Sequence, residues 1–301
     1  MRHIFIYNPA AGQGDTRALL ESAVAQHEGC EFYVTRGPRD ATAYIQQRLA
    51  AAPAESLCFV SCGGDGTLNE VVSGVAGHDN ACFTVYPCGS GNDFVKIYGG
   101  PARFLDMDAL LAAEPAPIDV LKVDERWCIN VFSFGFDTGV LKTMNRVKRK
   151  PLMGGKRAYY VGIVDALMKS MKTGCTITAD GAPFFSGDIL LCTFANAQYV
   201  GGSFRCAPRA EVDDGLMEVC LVKPVSRLSF VRLIGSYTNG THLEDPRMKD
   251  ILLYTRAKRL TVQSAKGLLP VSLDGEVIER QQFTVEVIPG GVNFALPQVK
   301  K

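Results

Sequence analysis

Three short apolar runs, at residues 4–7, 57–61 and 82–86, each stop at a glycine-rich polar loop. The first loop reads Asn8-Pro9-Ala10-Ala11-Gly12-Gln13-Gly14. The second reads Gly63-Gly64-Asp65-Gly66-Thr67-Leu68-Asn69-Glu70, and the third Pro87-Cys88-Gly89-Ser90-Gly91-Asn92-Asp93-Phe94. Each loop hands over to residues at helical spacing: 15–26 behind Asp15 as N-cap, 67–76, and a helix from Gly91 onward. A further strand at 31–35 precedes a helix at 40–51 capped by Asp40. Strand and helix in alternation mean βαβ units and a parallel sheet. The run 57–61 is apolar almost throughout, as a strand covered on both faces should be. In a parallel sheet all strand-to-helix loops open on one edge, so the three loops converge on one crevice.

That crevice suits an anion. A helix N-terminus offers free N–H groups and a partial positive charge, and glycines let backbone amides approach closely. Thr67, Asn69, Ser90 and Asn92 add hydroxyl and amide groups. The natural guest is a phosphorylated ligand. None of the three loops contains Lys or Arg, which leaves charge neutralisation to backbone dipoles and a divalent cation, with Asp65 as the ligand for Mg²⁺. A G-x-x-x-x-G-K-[ST] loop and a complete G-x-G-x-x-G are both missing, so ordinary P-loop and strict dinucleotide folds fall in rank.

The rhythm changes at Pro115-Ala116-Pro117. Strand-like runs follow at 118–123, 127–131, 175–179, 189–194, 217–222, 260–263, 271–273 and 283–288. Many are bounded by turn pairs such as Asp124-Glu125, Asp180-Gly181 and Asp274-Gly275. This predicts a mostly antiparallel β domain with inserted helices at 137–148 with 156–171 and at 226–239, and one more strand at 292–296. The expected division is a nucleotide-binding domain at 1–117 and a β-rich domain at 118–289.

Lys+Arg is 32 against Asp+Glu 31, a net charge of +1, which argues against a dedicated nucleic-acid binder. The ten cysteines and four histidines are scattered, and the cysteines mostly sit in apolar runs, so reduced buried thiols are expected rather than a zinc site. No apolar run approaches the length of a membrane span or of a signal-peptide core, so cytoplasmic residence is expected.

Taken in order and spacing, Asn-Pro-x-x-Gly, Gly-Gly-Asp-Gly-Thr-x-Asn-Glu and Pro-x-Gly-Ser-Gly-Asn-Asp-Phe resemble the diacylglycerol kinase catalytic domain. With the β-rich second half, the whole chain is similar to the soluble bacterial lipid kinases of that family, relatives of sphingosine and ceramide kinases. The Gly-Gly-Asp-Gly core is shared with NAD kinases and 6-phosphofructokinases; the Gly-Ser-Gly-Asn-Asp segment narrows the resemblance to the lipid kinases. The fold implied is a Rossmann-like α/β domain of NAD kinase and phosphofructokinase type, followed by an antiparallel β-sandwich, and the resemblance also implies a return of residues 290–301 to the first domain.

The resemblance also implies site residues. ATP would be embraced by Asn8, Pro9 and Gly12, by Gly63, Gly64, Asp65, Gly66, Thr67 and Asn69, and by Gly89, Ser90, Asn92 and Asp93. Thr35 matches a nucleotide-contacting threonine, and Asp65 the acid tied to nucleotide and Mg²⁺. Leu273-Asp274-Gly275-Glu276 matches the family's Asp-Gly-Glu, making Glu276 the expected general base, with Asp65 next in line. Asp119 matches an active-site acid, and Asn130 and Gly135 to Asp137 resemble a following family segment. Residues 211–216 match a structural Mg²⁺ loop, with Asp214 giving a carboxylate and Glu211 and Leu216 giving carbonyls. The implied activity is ATP- and Mg²⁺-dependent phosphorylation of a lipid hydroxyl, diacylglycerol to phosphatidic acid first. The alternatives are a kinase of a soluble substrate such as NAD, or a silent nucleotide or lipid sensor. A lipid acceptor implies transient docking on a membrane surface, for which the basic segment 142–157 is the candidate, and an exposed edge strand could make a homodimer.

Overall fold

The computed structural model describes residues 1–11, 16–147 and 171–298. Four parallel strands, β1 (Arg2–Tyr7), β2 (Cys30–Val34), β3 (Leu57–Gly63) and β4 (Ala81–Pro87), lie in the order β2-β1-β3-β4. Their side chains alternate between two helical layers. Ile4, Ile6 and Phe59 pack against Ile45 and Leu49 of α2 (Asp40–Ala51) and Leu68, Val71 and Val72 of α3 (Asp65–Val75). Phe5, Tyr7, Val60 and Cys62 face the opposite way, against Leu20 and Val24 of α1 (Thr16–Val24). All seven residues of β3 are therefore buried.

Helix α2 begins one residue earlier than a cap at Asp40 requires. Arg39 is the N-cap, in the left-handed region at φ 68°, and the Asp40 carboxylate instead accepts from the Tyr33 hydroxyl at 2.8 Å and the Arg36 amide at 2.9 Å. The long helix expected from Gly91 is also broken up. Two 3₁₀ turns, Phe94–Tyr98 and Pro101–Phe104, lead to the short α4 (Met107–Leu111). Gly99 and Gly100, both near φ +95°, and Pro101 interrupt the helical pattern. The turns seat Phe94 and Phe104 on Phe294.

Next come β5 (Pro115–Val123), β6 (Arg126–Cys128), β7 (Val131–Gly135) and α5 (Phe136–Val147). Beyond the undescribed stretch run β8 (Thr173–Ala179), β9 (Ala182–Ile189), β10 (Leu191–Ala195), β11 (Met217–Val222) and α6 (Arg227–Asn239). The chain then forms β12 (Leu252–Ala257), β13 (Arg259–Ser264), β14 (Leu269–Leu273), β15 (Glu276–Arg280) and β16 (Gln282–Ala295). Among the described residues, one sheet of ten strands continues the parallel order through β16-β13-β8-β9, with β5 and β6 alongside, and a second sheet runs β12-β11-β10-β7-β14-β15. The second sheet packs on the antiparallel part of the first, with Phe132 stacked on Phe194 at 5.8 Å and tilted on Phe283 at 5.0 Å. This is the β-sandwich.

Strand β16 belongs to both halves. Its first half pairs with β13, and after an irregularity between Ile288 and Val292 its end places Phe294 beside Phe83 of β4. The strand expected at 127–131 is split in two, because Ile129 and Asn130 turn their amides to the Asp274 carboxylate. Strands β9, β12 and β15 were not expected, and all three are sheet edges whose side chains face solvent enough to blur the pattern. All ten cysteines are free thiols. Gly12, the Asp15 cap, the helix at 156–171 up to Ser170, and the basic segment beyond Val147 lie outside the described residues.

Candidate active site

The parallel strands end on one edge, and the loops there lock together. The Gly63 carbonyl accepts from the amides of Cys88 and Gly89, each at 3.0 Å, joining the second loop to the third. A Cβ on Gly89 would overlap the Gly64 Cα, one on Gly63 would overlap Thr67, and one on Gly91 would overlap Asp65 Oδ2. Gly89 allows the close approach of two backbones, and Gly63 and Gly91 leave room for the Thr67 and Asp65 side chains. Asn8 ties in the first loop: its Oδ1 accepts from the Ala10 amide at 2.9 Å, and its Nδ2 donates to Thr67 Oγ1 at 3.0 Å. Asn92 holds a left-handed φ of 48° and donates to the Gly89 carbonyl at 2.7 Å.

Helix α3 starts at this junction. Gly64 caps it in an extended conformation with no side-chain hydrogen bond, so the first-turn amides face the crevice. Asp65 Oδ1 accepts from the Asp93 amide at 2.6 Å. Burial, and then the neighbouring Asp93 carboxylate, push the Asp65 carboxyl up to about 6; the Asp93 amide and Lys96 oppose this, and the Asp274 carboxylate adds to it. Asp93 is itself buried, with its carboxylate against the Lys96 ammonium. Both Asp93 oxygens accept from the Gly202 amide at 3.0 Å, and Lys96 donates to the Gly202 carbonyl at 2.8 Å. Thr35 is buried at the end of β2, its amide on the Tyr7 carbonyl at 2.9 Å. Ser90 and Gly66 are exposed.

Asp274 is the hub between the halves. Its carboxylate accepts from the amides of Ile129, Asn130 and Val131, from the Cys128 thiol and from the Asn69 amide, at 2.8–3.2 Å. Burial raises its carboxyl pKa, and the bonds from Asn69, Ile129, Cys128 and Val131 oppose the shift. Asn69 Nδ2 also donates to the Trp127 carbonyl at 2.9 Å. The Asn69 amide nitrogen is thus directed to the second half rather than to the crevice. Asp274 takes a left-handed φ of 46° at the β14–β15 turn, and Glu276 follows at the start of β15. Glu276 is exposed, and its Oε1 accepts from Arg126 at 2.9 Å.

Asp119 sits elsewhere in the interface. Its two oxygens accept from the Gly215 amide at 2.6 Å and the Gly290 amide at 2.9 Å, and it is buried. It clasps the 211–216 loop to the bend of β16. In that loop Asp214 Oδ1 accepts from the Leu216 amide at 2.9 Å, and the Arg256 guanidinium lies against Asp214 and 3.0 Å from Glu218 Oε1. A Mg²⁺ held by Asp214 with the Glu211 and Leu216 carbonyls would meet that guanidinium. Among the described residues no group of three or more His, Cys, Asp or Glu is arranged around a metal position.

An apolar cavity opens on the other side of the Asp93–Gly202 clamp. The empty space within its walls, open solvent at the mouth included, is about 840 Å³. Phe136 and Val140 of α5, Leu191 of β10, Phe204, and Phe230 and Ile234 of α6 wall it. Val200 and Gly201, next to the clamped Gly202, form its near edge. The sequence pattern gave the strands and helices around this space but not the space itself. Lys96 and Arg126 were likewise unmarked; the only signal for Lys96 was its place three residues after Asp93, one turn on.

Comparison with known proteins accounts for both halves. Residues 2–123 match the family model described as "Diacylglycerol kinase catalytic domain", and residues 130–296 match "YegS C-terminal NAD kinase beta sandwich-like domain". A diacylglycerol kinase of Bacillus subtilis is 29% identical over 278 residues, covering 90% of this chain and 88% of that protein. A "Probable lipid kinase YegS-like" protein of Pseudomonas aeruginosa is 28% identical over 297 residues, covering 98% and 93%. Among solved structures, a diacylglycerol kinase from Bacillus anthracis shares the fold with a TM-score of 0.72 at 22% identity, covering 98% and 96%. An NAD kinase from Archaeoglobus fulgidus in complex with ATP reaches 0.50 at 12% identity, covering 99% and 94%. No helix of the described residues is long and apolar enough to cross a membrane. The chain belongs to the family of diacylglycerol kinase catalytic domains followed by a YegS-type β-sandwich, and it is an enzyme of the lipid kinase class.

Proposed function

We propose that this kinase moves the γ-phosphoryl group of ATP to the free hydroxyl of a diacylglycerol, giving phosphatidic acid. The observation that carries the acceptor is the apolar cavity between α5, α6 and β10, whose near edge, Val200 and Gly201, adjoins the residue clamped by Asp93. A lipid with its tail in that cavity presents its polar end at the crevice where the glycine loops meet. The donor is supported by the open amides of α3 and the interlocked loops, which suit a polyphosphate.

Asp65 fits a Mg²⁺ brought in with the nucleotide. Its carboxyl is held up by burial and by Asp93, a condition a cation relieves, and Mg²⁺ sites on phosphates need only one or two protein carboxylates. When bound, the ion supplies charge neutralisation to the phosphates. The chain's own groups do the rest. The α3 amides orient the γ-phosphoryl group, and the Asp93–Lys96 pair fixes the third loop against Gly202. The lipid oxygen bonds to the γ-phosphorus as the bond to the bridging oxygen breaks, ADP leaves, and the hydroxyl proton passes to a carboxylate. Glu276 is assigned that proton; Arg126 holds its Oε1 and leaves the other oxygen to the acceptor.

An acceptor panel tests this reading. Purified enzyme with labelled ATP and Mg²⁺ meets dioleoylglycerol in mixed micelles, sphingosine, and NAD. Label in phosphatidic acid, reduced when Val140→Trp fills the cavity, supports it. Label in NAD alone overturns it, and label in sphingosine alone moves the acceptor to another lipid.

A further inference from the structure

Helix α6 is apolar on two sides. Its inner face, Phe230 with Leu233, Ile234 and Tyr237, closes the cavity. Its outer face carries Leu228 and Val231, one turn apart and each 61% exposed. Scattered exposed leucines are ordinary, but a surface helix normally keeps one face polar. Here five of the eight residues 227–234 are apolar, two are arginine, and one is Ser229, which with Ser226 forms the N-cap. Arg227 and Arg232 flank Leu228 and Val231, both arginines are exposed, and the helix contains no Asp or Glu. A short apolar stripe on a helix whose own charged residues are both arginines complements an anionic lipid surface, where apolar side chains sink below the headgroups and arginines stay among them. The same helix walls the cavity, so docking on this face would bring the cavity to the layer that holds its substrate.

We infer that the outer face of α6, centred on Leu228 and Val231 with Arg227 and Arg232, is the surface by which this enzyme docks on an anionic bilayer. The inference rests on the lipid-acceptor reading above for its purpose, but its test reads binding separately from turnover.

Full-length protein is sedimented with vesicles of phosphatidylcholine plus phosphatidylglycerol, and with phosphatidylcholine alone. The unsubstituted protein should prefer the anionic vesicles, and added salt should weaken that preference. Leu228→Asp with Val231→Asp should lower the fraction bound at least about tenfold, since two side chains that leave water on docking become charged. Leu228→Trp should raise it. Turnover of a short-chain, water-dispersed diacylglycerol should stay unchanged in both, because neither residue lines the cavity. Vesicle binding that is the same in all three proteins overturns the inference. A dimer in solution that the double substitution splits, with vesicle binding unaltered, assigns the face to a second copy and also overturns it. Intact, substitution-sensitive vesicle binding with no lipid phosphorylated upholds the docking surface and counts against the acceptor instead.

Discussion

Replacing Asn69 by Ala should loosen the two halves of the enzyme while leaving nucleotide binding in place. The Asn69 amide makes two bonds across the interface, to the Asp274 carboxylate at 2.8 Å and to the Trp127 carbonyl at 2.9 Å. A hydrogen bond to a charged group contributes about 1.5–3 kcal/mol and a neutral one about 0.5–1.5 kcal/mol. Four other donors still hold Asp274, so its carboxylate is not orphaned, and the expected loss is about 2–4 kcal/mol. In urea this should lower the unfolding midpoint by about 1 M. Because Asp274 begins the turn that carries Glu276, kcat should fall about tenfold or more, about 1.4 kcal/mol of misplacement, while the KM for ATP changes little. Asn69→Asp should be worse, setting a second carboxylate against a buried one, and its deficit should shrink as the pH falls and one of the pair takes a proton. A midpoint and kcat for Asn69→Ala that match the unsubstituted enzyme would refute the argument, as would a loss confined to the KM for ATP.

Other outcomes follow from the same geometry. Gly89→Ala must part the second and third loops, because its Cβ would overlap the Gly64 Cα; the KM for ATP should rise about tenfold, measured under saturating lipid. Asp65, with its carboxyl raised to about 6, is ionised only above that value in the free enzyme. The kcat/KM for nucleotide should therefore climb with pH through about 6, and a profile flat from pH 5 to 8 would contradict a role for the carboxylate. Glu276→Gln should abolish turnover while calorimetry still registers ATP binding. Asp119→Ala removes the acceptor that the Gly215 and Gly290 amides share and should lower the melting temperature together with activity, by about 1.5–3 kcal/mol in stability.

The parallel half was legible because each of its signals is local. The apolar run of β3, the glycines beyond it and the α3 pattern lie within twenty residues of one another, and the sheet edge gathers the loops by topology alone. The turns at Asp124, Asp180 and Asp274 were legible for the same reason, each a left-handed residue in a two-residue signal. What escaped depends on distant partners. Asn69 reads like a phosphate-loop residue, yet its partners are 58 and 205 positions away. Asp119 reads like a hairpin acid, yet it holds amides of Gly215 and Gly290. Edge strands such as β9, with Pro183 and Gly187 inside it, carry too little burial to show a period of two. The cavity is a property of how α5 and α6 sit over β10, and no single segment encodes it.

The central claim, that the crevice and the cavity form one site for a phosphoryl donor and a lipid alcohol, is tested most directly by identifying the product. Enzyme, ATP, Mg²⁺ and dioleoylglycerol in mixed micelles are incubated, and the lipid extract is read by mass spectrometry. The account predicts phosphatidic acid, formed in step with ADP and absent with Glu276→Gln. ADP without any phosphorylated lipid, or a phosphorylated lipid that persists undiminished in Glu276→Gln, would contradict it.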